Sequence, residues 1–119
     1  MVEEHRKFPR FLGEKDGPPE RVLKQRLEAA FTDDGRVDRA YLLRADLQDG
    51  AGVSIVLAVR TPPRDERKLV DEIGVIFAAL FHQDAHLDIL FLKDHTESEV
   101  RKVARPFFGR ASHAGIDPG

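Results

Sequence analysis

Residues 87–108 read LDILFLKDHTESEVRKVARPFF, and the fold is decided there. Leu87, Ile89 and Phe91 alternate with Leu90 and Leu92, so the opening segment 87–93 is a strand with apolar side chains on both faces. Thr96-Glu97-Ser98-Glu99 follows as a capping box, in which the Thr96 hydroxyl takes the N–H three residues on and Glu99 reaches back. A short helix over 97–104 then offers Val100, Val103 and Ala104 to the core and stops before Pro106. Phe107 and Phe108 end the block, either closing the core or forming an exposed aromatic recognition patch. This grammar specifies a layered core and no chemistry.

Working back from residue 87, 82–86 is a loop and 65–81 is the main amphipathic helix, with Leu69, Val70, Ile73, Ile76, Phe77, Leu80 and Phe81 on one stripe. Gly74 interrupts it, either to let the helix approach the sheet or as an unoptimised position about 1 kcal/mol worse than alanine. Thr61-Pro62-Pro63-Arg64 stops strand pairing ahead of this helix. Residues 53–59 (VSIVLAV) form a near-continuous apolar strand, with Ile55, Leu57 and Val59 opposed to Val56 and Ala58. Residues 48–52 are a glycine-rich hairpin connection.

In 37–47 the side chains alternate. Val37, Arg39, Tyr41, Leu43, Ala45 and Leu47 point one way, while Asp38, Ala40, Leu42, Arg44 and Asp46 point the other. Charges within this strand place it at or near a sheet edge. Pro18-Pro19 opens a first helix carrying Val22, Leu23, Leu27, Ala30 and Phe31, and Gly35 caps it in the left-handed conformation. The element order is therefore α-β-β-α-β-α: an α+β fold with a three- to four-stranded mixed sheet and helices packed on it. The organisation expected is a flexible leader over 1–16, whose Phe8–Leu12 part can dock on the body, one domain over 17–109 and a flexible tail over 110–119.

Composition bounds the function classes. At 119 residues, with 41% apolar and 34% charged side chains, the chain suits one domain with a real core. A formal charge of −2 gives no global attraction to nucleic acid or an anionic membrane. The basic clusters at Arg6, Lys7 and Arg10, and at Arg101, Lys102, Arg105 and Arg110, read as solvated termini and a helix face. With no cysteine there is no disulfide, thiolate nucleophile or cysteine-held metal. The charged start carries no apolar signal core, and the longest apolar run, 73–81, is half a membrane span. A cytoplasmic location is expected.

No candidate site rises above its structural explanation. His82 and His86, with Asp84 or Asp88, have the spacing of a metal pair, but they fall where the helix ends and lack the HExxH glutamate. Asp33, Asp34, Asp46 and Asp49 sit at turns and strand ends, where aspartate bonds its own backbone. The Asp49-Gly50-Ala51-Gly52 loop joins strand to strand and has no helix N-terminus behind it to bind phosphate. Ser54, Ser98 and Ser112 have no His/Asp company at nucleophile-elbow spacing. Tyr41 reads as a core-edge ring with its hydroxyl wet or bonded. No catalytic, cofactor-binding or metal residue is assigned.

The pattern resembles the C-terminal domain of the SseB (enhanced serine sensitivity protein) family. The resemblance rests on Gly17-Pro18-Pro19 opening a helix with Leu23 and Leu27, and on Val37-Asp38-Arg39-Ala40-Tyr41-Leu42 after a short turn. It also rests on the 53–59 strand before a long helix, and on 87–92 before a short helix ending in Arg105-Pro106-Phe107-Phe108. The family tends to end this motif in Pro-Phe-Tyr, so Phe108 departs conservatively. The likeness spans about 17–108, and in the family this domain usually follows a separate N-terminal one. It implies a link to serine tolerance by phenotype, with no enzyme activity, cofactor or catalytic residue. The expectation is a non-enzymatic binding or regulatory domain with a protein or small-metabolite partner; the alternative is a small-molecule (amino-acid) sensing domain. Apolar surplus on both sheet faces further suggests a homo-oligomer, unless the two chain ends fold back as cover.

Overall fold

The computed structural model describes residues 2–4, 9–47, 50 and 52–109. Six strands, β1 (Val2–Glu4), β2 (Arg10–Glu14), β3 (Arg39–Asp46), β4 (Val53–Arg60), β5 (Leu87–Phe91) and β6 (Phe108–Gly109), form one sheet. Three helices accompany it: α1 (Pro18–Asp34), α2 (Glu66–Leu80) and α3 (Asp94–Arg101). The order is β1-β5-β4-β3-β2, with β6 also on β3. The β3 pairs with β2, β4 and β6 are antiparallel, while β4–β5 and β5–β1 are parallel, so the sheet is mixed as expected.

It has more strands than the three or four expected, and the extra ones come from segments without a strand's apolar alternation. Residues 10–14, assigned above to a flexible leader, are a sheet strand with a bulge between Phe11 and Gly13. β3 takes partners on this side because the backbone groups on its edge away from β4 would otherwise have no strand to pair with. β2 covers one end of that edge. Lys15 N–H donates to Leu42 O at 3.1 Å, Phe107 N–H donates to Ala40 O at 2.9 Å, and β6 covers the remaining end. The 110–119 tail lies outside the described residues.

The alternation holds on every long strand. Ala40, Leu42, Leu57, Val59, Leu87 and Ile89 share one core cluster with Leu23, Leu27 and Phe31 of α1 and Leu69, Ile73 and Phe77 of α2. The four-residue spacing of each helical trio keeps it on one face, and each fully buried side chain contributes about 1.5–3 kcal/mol. On the other face, Tyr41, Leu43, Ala45, Val56, Ala58 and Leu90 pack with Val100 and Ala104, and Phe11 and Val103 lie against them. These sheet residues are all buried within one chain, so the uncovered face that motivated a homo-oligomer is absent among the described residues.

The helix ends are governed by backbone chemistry. Gly35, at φ 79°, closes α1 by donating its N–H to Phe31 O at 2.9 Å. Proline supplies the start of α1 without a side-chain cap. A 3-10 turn at Pro63–Asp65 leads into α2. The capping box is not formed. α3 begins two residues before Thr96, its N-cap is Lys93, and no side chain caps it. Glu99 bonds Lys102 instead of reaching back. An earlier start turns Glu97 inward.

Phe107 and Phe108 are half-buried on the α1/α2 face, across the sheet from α3. Phe108 meets Phe31 edge-on, with ring centroids 5.6 Å apart. The segment after α3 therefore wraps round the β3 edge from one face to the other. No atom lies within 4 Å of where a Cβ on Gly74 would stand, so close approach to the sheet does not explain this glycine.

Candidate functional site

Arg39 opens β3 and Arg60 closes β4, and the antiparallel register sets them directly opposite each other. Both belong to the α3 side of the sheet by strand parity. Like charges at opposed positions repel, so an anion between them is the natural solution. α3 provides it. Its face carries Asp94, Glu97, Ser98 and Arg101, spaced three and four residues apart, and Glu97 is 4% exposed although a carboxylate.

Each Glu97 oxygen accepts two hydrogen bonds. Oε1 takes Arg39 Nη2 at 2.8 Å and Arg60 Nη1 at 3.2 Å. Oε2 takes the Tyr41 hydroxyl at 2.6 Å and Arg39 Nε, so Arg39 is bidentate. Arg101 Nε donates to the Tyr41 oxygen at 3.1 Å, and its Nη2 lies 3.7 Å from Glu97 Oε2. Tyr41 is thus buried and its hydroxyl is bonded on both sides, one of the two states its position allows.

Burial pushes the Glu97 carboxyl up, but hydrogen bonds from Arg39 and Tyr41 and the charge of Arg39 and Arg101 outweigh it and hold the group at about 2. Burial, followed by the bond to Glu97, raises the Tyr41 phenol above its ordinary 10.0. Glu97 is therefore charged and Tyr41 neutral at physiological pH. The cluster fixes charge.

Above it lies an open cleft of about 300 Å³ lined by Arg39, Arg60, Asp94, Glu97, Ser98 and Arg101. Asp94 bonds Arg60 Nη2 at 2.5 Å from a side chain that is 93% exposed. Arg39, Arg60 and Arg101 face Glu97 and Asp94, so the lining is net positive by one charge.

The residues singled out in the sequence do not converge. His82 and His86 lie beyond α2 in non-helical backbone, His82 beside Asp84 and His86 Nε2 at 3.0 Å from Asp88 Oδ1. Asp34 pairs with Arg36, which also reaches Glu72 on α2 at 2.7 Å and so ties the end of α1 to that helix. Asp33 is exposed, Asp46 lies 3.9 Å from Arg10, and Asp49 and Ser112 fall outside the described residues. Ser54 is half-buried in β4, whereas Ser98 stands on the cleft wall.

Sequence reading missed the cluster itself. Its signal was there: Glu97 sits three residues before Val100 and seven before Ala104, a carboxylate on an apolar stripe, while Arg39 and Tyr41 share a strand face.

A family model, the SseB protein C-terminal domain, matches residues 11–110. The chain belongs to this family. The match begins inside β2 and runs past β6, so the SseB C-terminal domain includes the edge strand that the shorter 17–108 likeness left out. No curated protein and no solved structure matches the chain. Among the described residues no helix is long and apolar enough to cross a membrane.

Proposed function

We propose that this SseB C-terminal domain is a non-enzymatic binding or regulatory domain acting through the arginine cleft over Glu97. The observation that carries the reading is the pinned, net-positive lining: Arg39 is held bidentately and Arg60 and Arg101 are oriented, so an incoming anion meets donors already in place. The protonation states of Glu97 and Tyr41 support binding over acid–base chemistry.

The alternative, an amino-acid sensing domain, has one observation in its favour. Arg60 and the exposed Asp94 stand side by side and complement the two charges of a zwitterion. A self-associating form would pair through the outer strand edges, since the described sheet faces are covered.

A thermal-shift screen of amino acids and small anionic metabolites, run on the wild type and on Arg101→Gln, tests the proposal. Ligand binding to the folded state alone raises the midpoint. The expected result is stabilisation by an anionic compound that the variant loses. Stabilisation equal in both proteins, or by none of the compounds, would overturn it.

A further inference from the structure

We infer that the cleft takes the carboxylate of a small ligand, seated on Arg60 and Arg101 in place of Asp94. The inference rests on the binding reading above and narrows it to one chemical class.

Geometry comes first. The cleft already holds a carboxylate in this position, because Asp94 Oδ1 lies 2.5 Å from Arg60 Nη2. That side chain is almost wholly in solvent, and an exposed ion pair is worth only about 0–1 kcal/mol. An external carboxylate therefore displaces it at little loss. Glu97, by contrast, is buried and fully bonded and stays in place as the floor.

The donors left for a ligand are Arg60 Nη2, once Asp94 is displaced, the terminal nitrogens of Arg101, and Arg39 Nη1 beside them. Arg39 spends its Nε and Nη2 on Glu97. Arg101 gives Nε to Tyr41 and keeps its side chain 57% exposed at the mouth, where planar pairing with a carboxylate is open to it. Ser98 adds a hydroxyl to the wall.

Charge and size choose among anions. The lining carries one surplus positive charge, which a monoanion neutralises and a phosphate dianion exceeds, with Asp94 at the rim to repel it. A volume near 300 Å³ is at the small end of ligand sites and admits a compact molecule.

The test titrates the full chain with acetate, glycine and inorganic phosphate at constant ionic strength, following the Arg60 and Arg101 Nε–H resonances by NMR. Saturable shifts with acetate or glycine, lost in Arg101→Gln, are expected. Asp94→Asn, which removes the charge of an exposed side chain and keeps its size, should tighten acetate by about five-fold. A weaker glycine response in Asp94→Asn would place an ammonium on Asp94 and still support a carboxylate on Arg60. Phosphate binding at these resonances with acetate and glycine silent would overturn the carboxylate assignment while sparing the binding domain. If no probe moves either resonance, both readings fall.

Discussion

The Tyr41 hydroxyl donates to Glu97 Oε2 at 2.6 Å, a bond that ties β3 to α3 inside the protein. The phenol oxygen in turn accepts from Arg101 Nε, so one phenol links a buried carboxylate to an exposed guanidinium. This chain of contacts connects core packing to the cleft. Whatever loosens Glu97 should loosen the arginines above it.

Removing the phenol isolates that link. Tyr41→Phe keeps the ring in the core and removes one donor from a charged acceptor, a loss of about 1.5–3 kcal/mol in urea unfolding. Glu97→Gln should be worse, on the order of 3 kcal/mol or more, because Arg39 and Arg60 then face each other without a counter-charge. Equal stability of Glu97→Gln and wild type would show that the carboxylate is not needed between them.

Acid should act through the same group. The Glu97 carboxyl lies at about 2 in the folded protein against an ordinary 4.5. A lowered folded-state value means that the stabilisation is fully present above about pH 4.5 and disappears as pH falls from there through 2. Its size is on the order of 3 kcal/mol. Asp16, lowered mainly by its hydrogen bond from Lys24, and Asp34, lowered mainly by Arg36, slope the same way. Urea midpoints measured from pH 7 to 3 should decline below 4.5 in the wild type and more shallowly in Glu97→Gln.

Gly74 offers a change in the opposite direction. It lies inside α2 with open space where a Cβ would stand, so Gly74→Ala should stabilise by about 0.5–1 kcal/mol through helix propensity and a less flexible unfolded chain. A loss on thermal or urea unfolding would mean that the glycine has a packing role after all.

Phe108 separates core closure from recognition. Half-buried and edge-on to Phe31, it should lose about 2 kcal/mol on replacement by alanine, less than a fully buried ring. An unchanged urea midpoint would return the Phe pair to the role of an exposed patch.

The layers were legible in the sequence because strand and helix periodicities differ. The alternation through 39–47, 53–59 and 87–92 sorted Leu42, Leu57 and Ile89 from Leu43, Val56 and Leu90 correctly. Val37, expected on the Tyr41 face, packs with Ala40 and Leu42 instead, because β3 begins only at Arg39 and strand parity does not bind the residue before it. Strand β2 was not legible, since Phe11 and Leu12, its only apolar side chains, are adjacent and not alternating, and what defines it is pairing to the outer edge of β3. The site was hidden for a related reason. Thr96-Glu97-Ser98-Glu99 suits a capping box locally, and tertiary contact with Arg39 and Tyr41, more than fifty residues earlier, draws Glu97 inward instead. A charged residue on an apolar stripe, set against an arginine on an apolar strand face, is the cue that pairs them.

The most direct measurement is a carbon-13 pH titration of the Glu97 side-chain carboxyl in the full chain. With Glu97 as the ionised floor of the cleft, its signal should hold the carboxylate shift down to the acid-unfolding transition, with any midpoint near 2. A midpoint at the ordinary 4.5 would contradict this: Glu97 would then be solvated, the arginines unanchored and the cleft without its preset charge.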